Sequence, residues 1–396
     1  MKHPALRLIC LALILSVLLG LALPVGASAQ TVVAEPSSLS AKSAILMEAE
    51  TETVLFAKNE RERLGMASTT KIMTALLAAE RLSPTEAVTV PPEAVGIEGS
   101  SVYLVAGERL TVTELLYALM LASANDAATA LAIAVAGSIE AFADLMNRRA
   151  EELGLLDTHF VNPHGLYHED HYTTAHDLAR LSAEVLRNPL LRAVCATQKT
   201  TIPFDGTEGG RYLRNHNRML TRYEGAIGLK TGFTKKTGRC LVSAAQRDGM
   251  TLVAVTLNAP DDWRDHTALL DYGFAAYGWD TLFEAGEFRT ALPLTGGIEA
   301  EVTLVNAEPL RMLLPREHET PTVTVEATSR LVFAPVAEGD VLGTLCCSVD
   351  HTSASVSLIA DKDAAAYEEP KGFWGRFFSG ILSRLRAFFS MFYKKE

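Results

Sequence analysis

The chain has 396 residues, of which 48% are hydrophobic and 21% charged, enough apolar material for one large packed domain and a smaller one beside it. A formal net charge of -11 excludes nucleic acid as a general partner, because an acidic surface repels phosphates. Glycine and proline are present in ordinary amounts, with neither a fixed-period repeat nor a low-complexity tract, so a globular protein is expected.

The N-terminus opens with the basic run Met1 to Arg7, continues with the almost wholly apolar Leu8 to Leu23, and reaches Ala27-Ser28-Ala29, a small-x-small cleavage pattern. Residues 1–29 are therefore expected to be a secretory signal peptide, with Gln30 starting the mature chain. An uncleaved membrane anchor is the alternative. Cys10 falls in this segment; Cys195, Cys240 and the adjacent pair Cys346-Cys347 lack metal-ligand spacing and read as mostly buried thiols.

Strand-like runs at Ser43 to Met47 and Thr53 to Ala57 predict a hairpin that begins a sheet. Next comes Ala67 to Glu80, an apolar helical run that opens with Ser68 and, three residues on, Lys71. Positions i and i+3 share a helix face, so the lysine amine can reach the serine oxygen. To take the serine proton, that lysine needs a pKa lowered from about 10.4 towards 7 or 8, a shift worth about 4 kcal/mol. Burial and a second cation are the available causes. The plainer reading is a helix-capping serine beside a solvated lysine.

Pro91-Pro92 and Gly99 to Leu104 predict a loop and a short strand. Thr111 with Glu114 makes a capping box, which starts a helix through Leu115 to Leu121. Ala122-Ser123-Ala124-Asn125-Asp126 interrupts it before an alanine-rich helix from Ala127 to Val135, so polar side chains stand between two apolar helices. By itself this also reads as a capped helix–helix turn. His159, His164, His168, His171 and His176 cluster in sequence, but Pro163 and Gly165 flank His164 and no His-Glu-x-x-His pattern occurs; a structural loop is expected rather than a metal site.

Gly225 to Thr234, Arg239 to Ala245 and Met250 to Leu257 predict three successive strands. Lys230-Thr231-Gly232 lies on the first, where a cation, a hydroxyl and a bare backbone can line a cleft. Lys236-Thr237-Gly238 repeats the tripeptide in the expected hairpin turn, where charge is ordinarily solvated, so Lys230 is the candidate. From about Thr281 to residue 362, short alternating runs such as Glu301 to Val305, Thr322 to Val325 and Ser355 to Ile359 predict a small all-β, sandwich-like domain with no chemical constellation.

In the tail, residues 371–396, Phe373, Phe377, Ile381, Leu385, Phe388 and Phe392 follow helical spacing, and six Lys or Arg stand against one Glu. An aromatic and basic amphipathic helix lying on a membrane surface is expected there.

Ser68-Thr69-Thr70-Lys71, Ser123-Ala124-Asn125 and Lys230-Thr231-Gly232, in that order between a signal peptide and an amphipathic tail, resemble the penicillin-binding serine peptidases, specifically the low-molecular-mass D-alanyl-D-alanine carboxypeptidases similar to penicillin-binding protein 5. Ala124 stands where the wider superfamily often has Asp, while the amide of Asn125 is kept. The resemblance implies an α+β, β-lactamase/DD-peptidase-like catalytic domain over residues 30–280, an antiparallel sheet flanked by helices, and no cofactor or metal. It implies that Ser68 attacks the bond between the terminal D-alanines of a peptidoglycan stem peptide, with Lys71 as general base, Ser123 relaying a proton and Asn125 holding substrate and Lys71. Lys230 with Thr231, Gly232 and Phe233 would bind substrate, Lys230 attracting the terminal carboxylate and lowering the Lys71 pKa. The backbone amides of Ser68 and Phe233 would form an oxyanion hole. β-Lactam antibiotics would be inhibitors, and the protein would sit on the outer face of the bacterial cytoplasmic membrane. The alternatives are a catalytically silent peptidoglycan-tethering protein and a β-lactamase; the latter lacks a convincing Glu-x-x-Leu-Asn segment between Asn125 and Lys230.

Overall fold

The computed structural model describes residues 33–204, 209–329, 331–349 and 352–367. The expected signal peptide and the amphipathic tail lie outside the described residues.

Five strands form the central antiparallel sheet, in the order Val54–Lys58, Ser43–Glu48, Met250–Leu257, Gly238–Arg247, Ala226–Thr234. The expected N-terminal hairpin and the expected three-strand meander are both present, and they join where Ser43 pairs with Leu257 and Glu48 with Leu252. Both joining strands are buried along their whole length because layers cover both faces of the sheet. Side chains alternate accordingly. Ile45, Met47, Val253 and Val255 enter the core shared with the helical lobe. Ala44, Leu46, Leu252 and Ala254 pack against the opposite layer, which holds the helix Asp262–Ala276.

The helical lobe fills the interval between the hairpin and the meander, with Lys71–Arg81 at its centre and Val112–Leu121, Asn125–Ala136, Ile139–Glu152, Ala175–Arg187 and Pro189–Ala196 around it. The capping box at Thr111 is formed: Glu114 N donates to Thr111 Oγ1 at 3.2 Å and Thr111 N to the Glu114 carboxylate at 2.7 Å.

The short strand expected within Gly99 to Leu104 is not formed. The reason is a side chain. Asp126, almost fully buried, takes the amides of Val102 and Leu104 (3.1 and 3.0 Å) that a neighbouring strand would otherwise hold. The local two-stranded ladder instead pairs Ala87–Thr89 with Arg109–Thr111.

After the helix Asp262–Ala276 the chain is all β. Tyr277–Phe283 pairs with Leu310–Pro315, and a six-stranded sheet runs Thr322–Ala327, Val341–Val349, Thr352–Ala360, Glu301–Asn306, Arg289–Thr295, Val332–Phe333. Its core gathers Leu304, Leu310, Leu345, Cys347 and Leu358. Cys195, Cys240 and Cys347 are buried thiols, whereas Cys346 is half-buried because neighbours on a strand face opposite ways.

Candidate active site

Ser68 lies in a one-turn 3-10 helix, Ala67–Thr70, that runs directly into the helix Lys71–Arg81. Both threonines fold back on this turn: Thr69 Oγ1 donates to the Met66 carbonyl at 2.6 Å and Thr70 Oγ1 to the Ala67 carbonyl at 2.7 Å. His171 Nε2 lies 2.7 Å from Thr70 Oγ1 and braces it from outside. Ala67 holds a φ of +47°, a conformation that L-residues adopt only when the surroundings impose it. The neighbours of Ser68 from Met66 to Lys71 are buried, and Ser68 is the one left half-exposed.

Lys71 is fully buried and its amine meets three oxygens: Ser68 Oγ at 2.9 Å, Asn125 Oδ1 at 2.7 Å and the main-chain oxygen of His164 at 2.6 Å. Burial, and then repulsion from the Lys230 charge, hold its pKa well below the ordinary ammonium value, with Asp126 pulling weakly the other way. A neutral amine has two N–H donors and one lone pair. With its two hydrogens on Asn125 and His164, the lone pair is left for the Ser68 hydroxyl.

Asn125 begins the helix Asn125–Ala136 and is fixed at both ends of its amide, since Nδ2 donates to the Glu98 carbonyl at 2.5 Å while Oδ1 accepts from Lys71. Its backbone N–H donates to Ser100 O at 2.7 Å. Asp126 next to it gathers the same loop, accepting from Ser101 Oγ at 2.5 Å as well as from the Val102, Leu104 and Ala127 amides. Ser123 turns the chain between the two helices with a φ of +60° and lines the cleft.

Lys230, Thr231, Gly232 and Phe233 lie on the outer strand of the sheet, Ala226–Thr234. Lys230 is buried beneath the cleft surface, its Nζ donating to the Thr231 carbonyl at 2.9 Å, and burial lowers its pKa to about 7. Lys236, the repeat of the motif, is exposed. A Cβ on Gly232 would stand 3.1 Å from Ser68 N and 3.0 Å from Met66 O, so this glycine lets the strand pass close to the Ser68 turn. Phe233 is 64% exposed.

The structure therefore brings Ser68, Ser123, Thr231, Gly232 and Phe233 onto one open cleft of about 1030 Å³, with Lys71, Asn125 and Lys230 buried next to them. The loop Asn162 to Leu166, expected from the sequence to be structural, supplies the third Lys71 partner. Asn162 Oδ1 accepts from His164 N (3.2 Å) and Gly165 N (2.7 Å), an Asx turn that points the His164 carbonyl at the amine. Gly165, at φ +87°, lies so close that a Cβ there would fall 1.9 Å from Ala67 O. The imidazole of His164 is kept neutral, its pKa pushed down to about 3 by burial and then by the Lys71 and His171 charges. Asn-Pro-x-Gly was the one available signal for such a turn. Among the described residues no group of three His, Cys, Asp or Glu side chains is arranged to hold a metal ion.

Comparison with known proteins places this geometry. The family described as D-alanyl-D-alanine carboxypeptidase matches residues 29–261, more than half of the chain. The chain is 34% identical over 340 residues to D-alanyl-D-alanine carboxypeptidase DacF of Bacillus subtilis, covering 84% of this chain and 86% of that one. It is 30% identical over 388 residues to DacC of Escherichia coli, covering 93% of each. Among solved structures, penicillin-binding protein 5 of Haemophilus influenzae superposes with a TM-score of 0.69 at 26% identity, over 84% of this chain and 99% of its own. Its mixed α and β fold, antiparallel sheets with helices against them, is the DD-peptidase fold. On the Lys71-centred site and on these matches together, the chain belongs to the D-alanyl-D-alanine carboxypeptidase family.

Proposed function

We propose that Ser68 is the nucleophile of a serine-type carboxypeptidase that removes the terminal D-alanine from peptidoglycan stem pentapeptides, with Lys71 as its base. The observation that carries this is the arrangement of Lys71 Nζ, buried, depressed in pKa and 2.9 Å from Ser68 Oγ. The Ser68 proton passes to Lys71 as Oγ bonds to the carbonyl carbon between the two D-alanines. The backbone N–H groups of Ser68 and Phe233 receive the oxyanion, a contribution of about 3 to 4 kcal/mol per donor in comparable sites. The C–N bond then breaks as a proton returns through Ser123 to the leaving amine, and water releases the shortened peptide from the ester. Asn125 keeps Lys71 aimed and holds the substrate amide. Lys230, when protonated, attracts the terminal carboxylate.

The strand Ala226–Thr234 ends the sheet order among the described residues, so its outer edge can take an extended peptide as an added strand across the cleft. Penicillins acylate the same hydroxyl. Residues 1–29 direct export and residues 371–396 hold the enzyme on the outer face of the membrane, a reading supported by the basic and apolar patterning of both segments. Catalysis is assigned to residues 30–280 and the β domain to residues 281–362, a boundary that falls within the strand Tyr277–Phe283.

Mass spectrometry of a stem pentapeptide incubated with the mature protein tests this: loss of one alanine, abolished together with fluorescent-penicillin labelling in Ser68→Ala, is the expected result. Alanine release that survives Ser68→Ala overturns it. Deleting residues 371–396 is expected to free an active enzyme from membranes, and continued membrane association would contradict the anchor.

A further inference from the structure

The chain carries a net charge of -11, yet one wall of its cleft is cationic. Lys199, Arg214, Arg218 and Arg222 all line it, all are exposed, and none is ion-paired among the described residues. Among the described residues the one carboxylate on the cleft lining, Asp262, is held by Arg239 at 2.8 Å.

The spacing of these cations is unfavourable in the free protein. Lys199 and Arg214 are direct partners across the two-stranded ladder Lys199–Ile202 and Arg211–Arg214, where like charges repel. Arg218 and Arg222 stand four residues apart on the following helical turn, again a like-charge pairing. The turn that carries them is stiffened: Asn215 Nδ2 donates to the Cys195 and Thr197 carbonyls, and Asn217 Oδ1 accepts from Met219 N at 3.0 Å. Repelling cations on one wall are satisfied by an acceptor-rich anion. Exposed Tyr212 and Phe233 on the same cleft favour an anion carried on an organic chain over a bare ion.

We propose that this wall reads a free carboxylate on the stem peptide itself, upstream of the D-alanine pair, so that the enzyme prefers acidic stems over stems in which that carboxylate is amidated. The proposal rests on the carboxypeptidase reading above and adds a substrate class to it. Charge-assisted contacts from arginine hold carboxylates far better than they hold amides, and the partly open cleft makes the preference salt-dependent.

The test uses two N-acetylated peptides, L-Ala-γ-D-Glu-L-Lys-D-Ala-D-Ala with its lysine Nε-acetylated, and the same peptide with the D-Glu α-carboxylate converted to the amide. The mature enzyme is expected to release D-alanine from the acid with about tenfold higher kcat/KM, a preference that shrinks as salt rises from low to about 0.5 M. Replacing Lys199, Arg214, Arg218 and Arg222 together with glutamine is expected to bring the ratio close to one, with fluorescent-penicillin labelling of Ser68 retained as proof of a folded site. Equal rates on the two peptides with wild-type enzyme, or a preference untouched by the four substitutions, overturns the proposal. Calorimetric titration of both peptides into Ser68→Ala protein reads the same ratio as dissociation constants. It does so even if no alanine is released, so failure of the carboxypeptidase reading is told apart from failure of this one. Displacement of the acidic peptide by a glycerol-phosphate polymer at far lower charge concentration would also overturn the proposal, in favour of a polyanion site.

Discussion

Lys71 Nζ lies 2.6 Å from the main-chain oxygen of His164, a residue 93 positions further along the chain. The acceptor is a backbone atom, so what matters at position 164 is the course of the chain and not the imidazole. Asn162 and Gly165 set that course, through the Asx turn and through the close approach to Ala67.

Gly165→Ala is therefore expected to be severe. Its Cβ would meet Ala67 O at 1.9 Å and Thr70 Oγ1 at 2.8 Å, at a φ of +87°. Loss of about 3 kcal/mol or more in urea unfolding, with penicillin labelling lost in parallel, is the expected result. Gly107→Ala is the control: φ is +84° but nothing lies within 4 Å, so about 1 kcal/mol and normal labelling are expected. Equal effects at the two positions would refute the packing argument.

The pH dependence of acylation follows from Lys71. On the proposed mechanism the amine must be neutral to take the Ser68 proton, so the rate is expected to rise with pH through the depressed Lys71 pKa. Lys230 is one cause of that depression. Lys230→Met is expected to raise the Lys71 pKa and move the acid limb of the penicillin-acylation profile to higher pH, whatever it does to substrate affinity. An acid limb that stays in place would show the two amines to be uncoupled.

Lys230 also links stability to pH. Its folded pKa is about 7 against 10.5 for the free side chain, so between these values the unfolded chain binds more protons and stability rises with pH. Below pH 7 the full penalty stands, about 5 kcal/mol at most by this shift. Chemical unfolding of wild type and Lys230→Met is expected to show wild type gaining on the variant from pH 7 towards pH 10, and a gap that does not change would refute the burial of a charged Lys230.

Asp126→Ala removes one carboxylate that accepts from three backbone amides, those of Val102, Leu104 and Ala127, and from the Ser101 hydroxyl. Stranding buried amides costs about 1 to 3 kcal/mol each where water does not replace the acceptor, so a loss of about 3 kcal/mol in denaturant unfolding is expected. The loop also carries the Glu98 carbonyl that holds Asn125, so acylation is expected to slow as well. Normal acylation in a destabilised protein would separate the loop from the site.

The parts of this architecture that were legible in the sequence are those with a local signature. The capping box at Thr111, the strand Ala226–Thr234 and the exposure of Lys236 in its turn each follow from a few neighbouring residues. What was illegible depends on distant partners. Gly99 to Leu104 reads as a loop and a short strand, but Asp126 intercepts its amides. Asn162-Pro163-His164-Gly165 marks a turn, but nothing in it says that the His164 carbonyl meets Lys71, because every residue carries the same group. The cationic wall escaped notice because Lys199, Arg214, Arg218 and Arg222 are scattered in sequence and gathered only by a hairpin and a turn. Parallel pairing of Leu294 with Val332 inside the β region is likewise a matter of topology, not of local pattern.

The middle of the central sheet is stitched from the two ends of the catalytic region, Ser43–Glu48 lying beside Met250–Leu257. A ribosome must deliver the later strand before the earlier one has a neighbour on that side, and by then the whole helical lobe has emerged between them. The Ser68 turn is made early in synthesis, yet the strand that forms the other bank of its cleft, Ala226–Thr234, joins the sheet only through Gly238–Arg247 and Met250–Leu257. A nascent chain halted short of that point holds every residue of the first two motifs and no place for a peptide to lie, so competence arrives late and all at once.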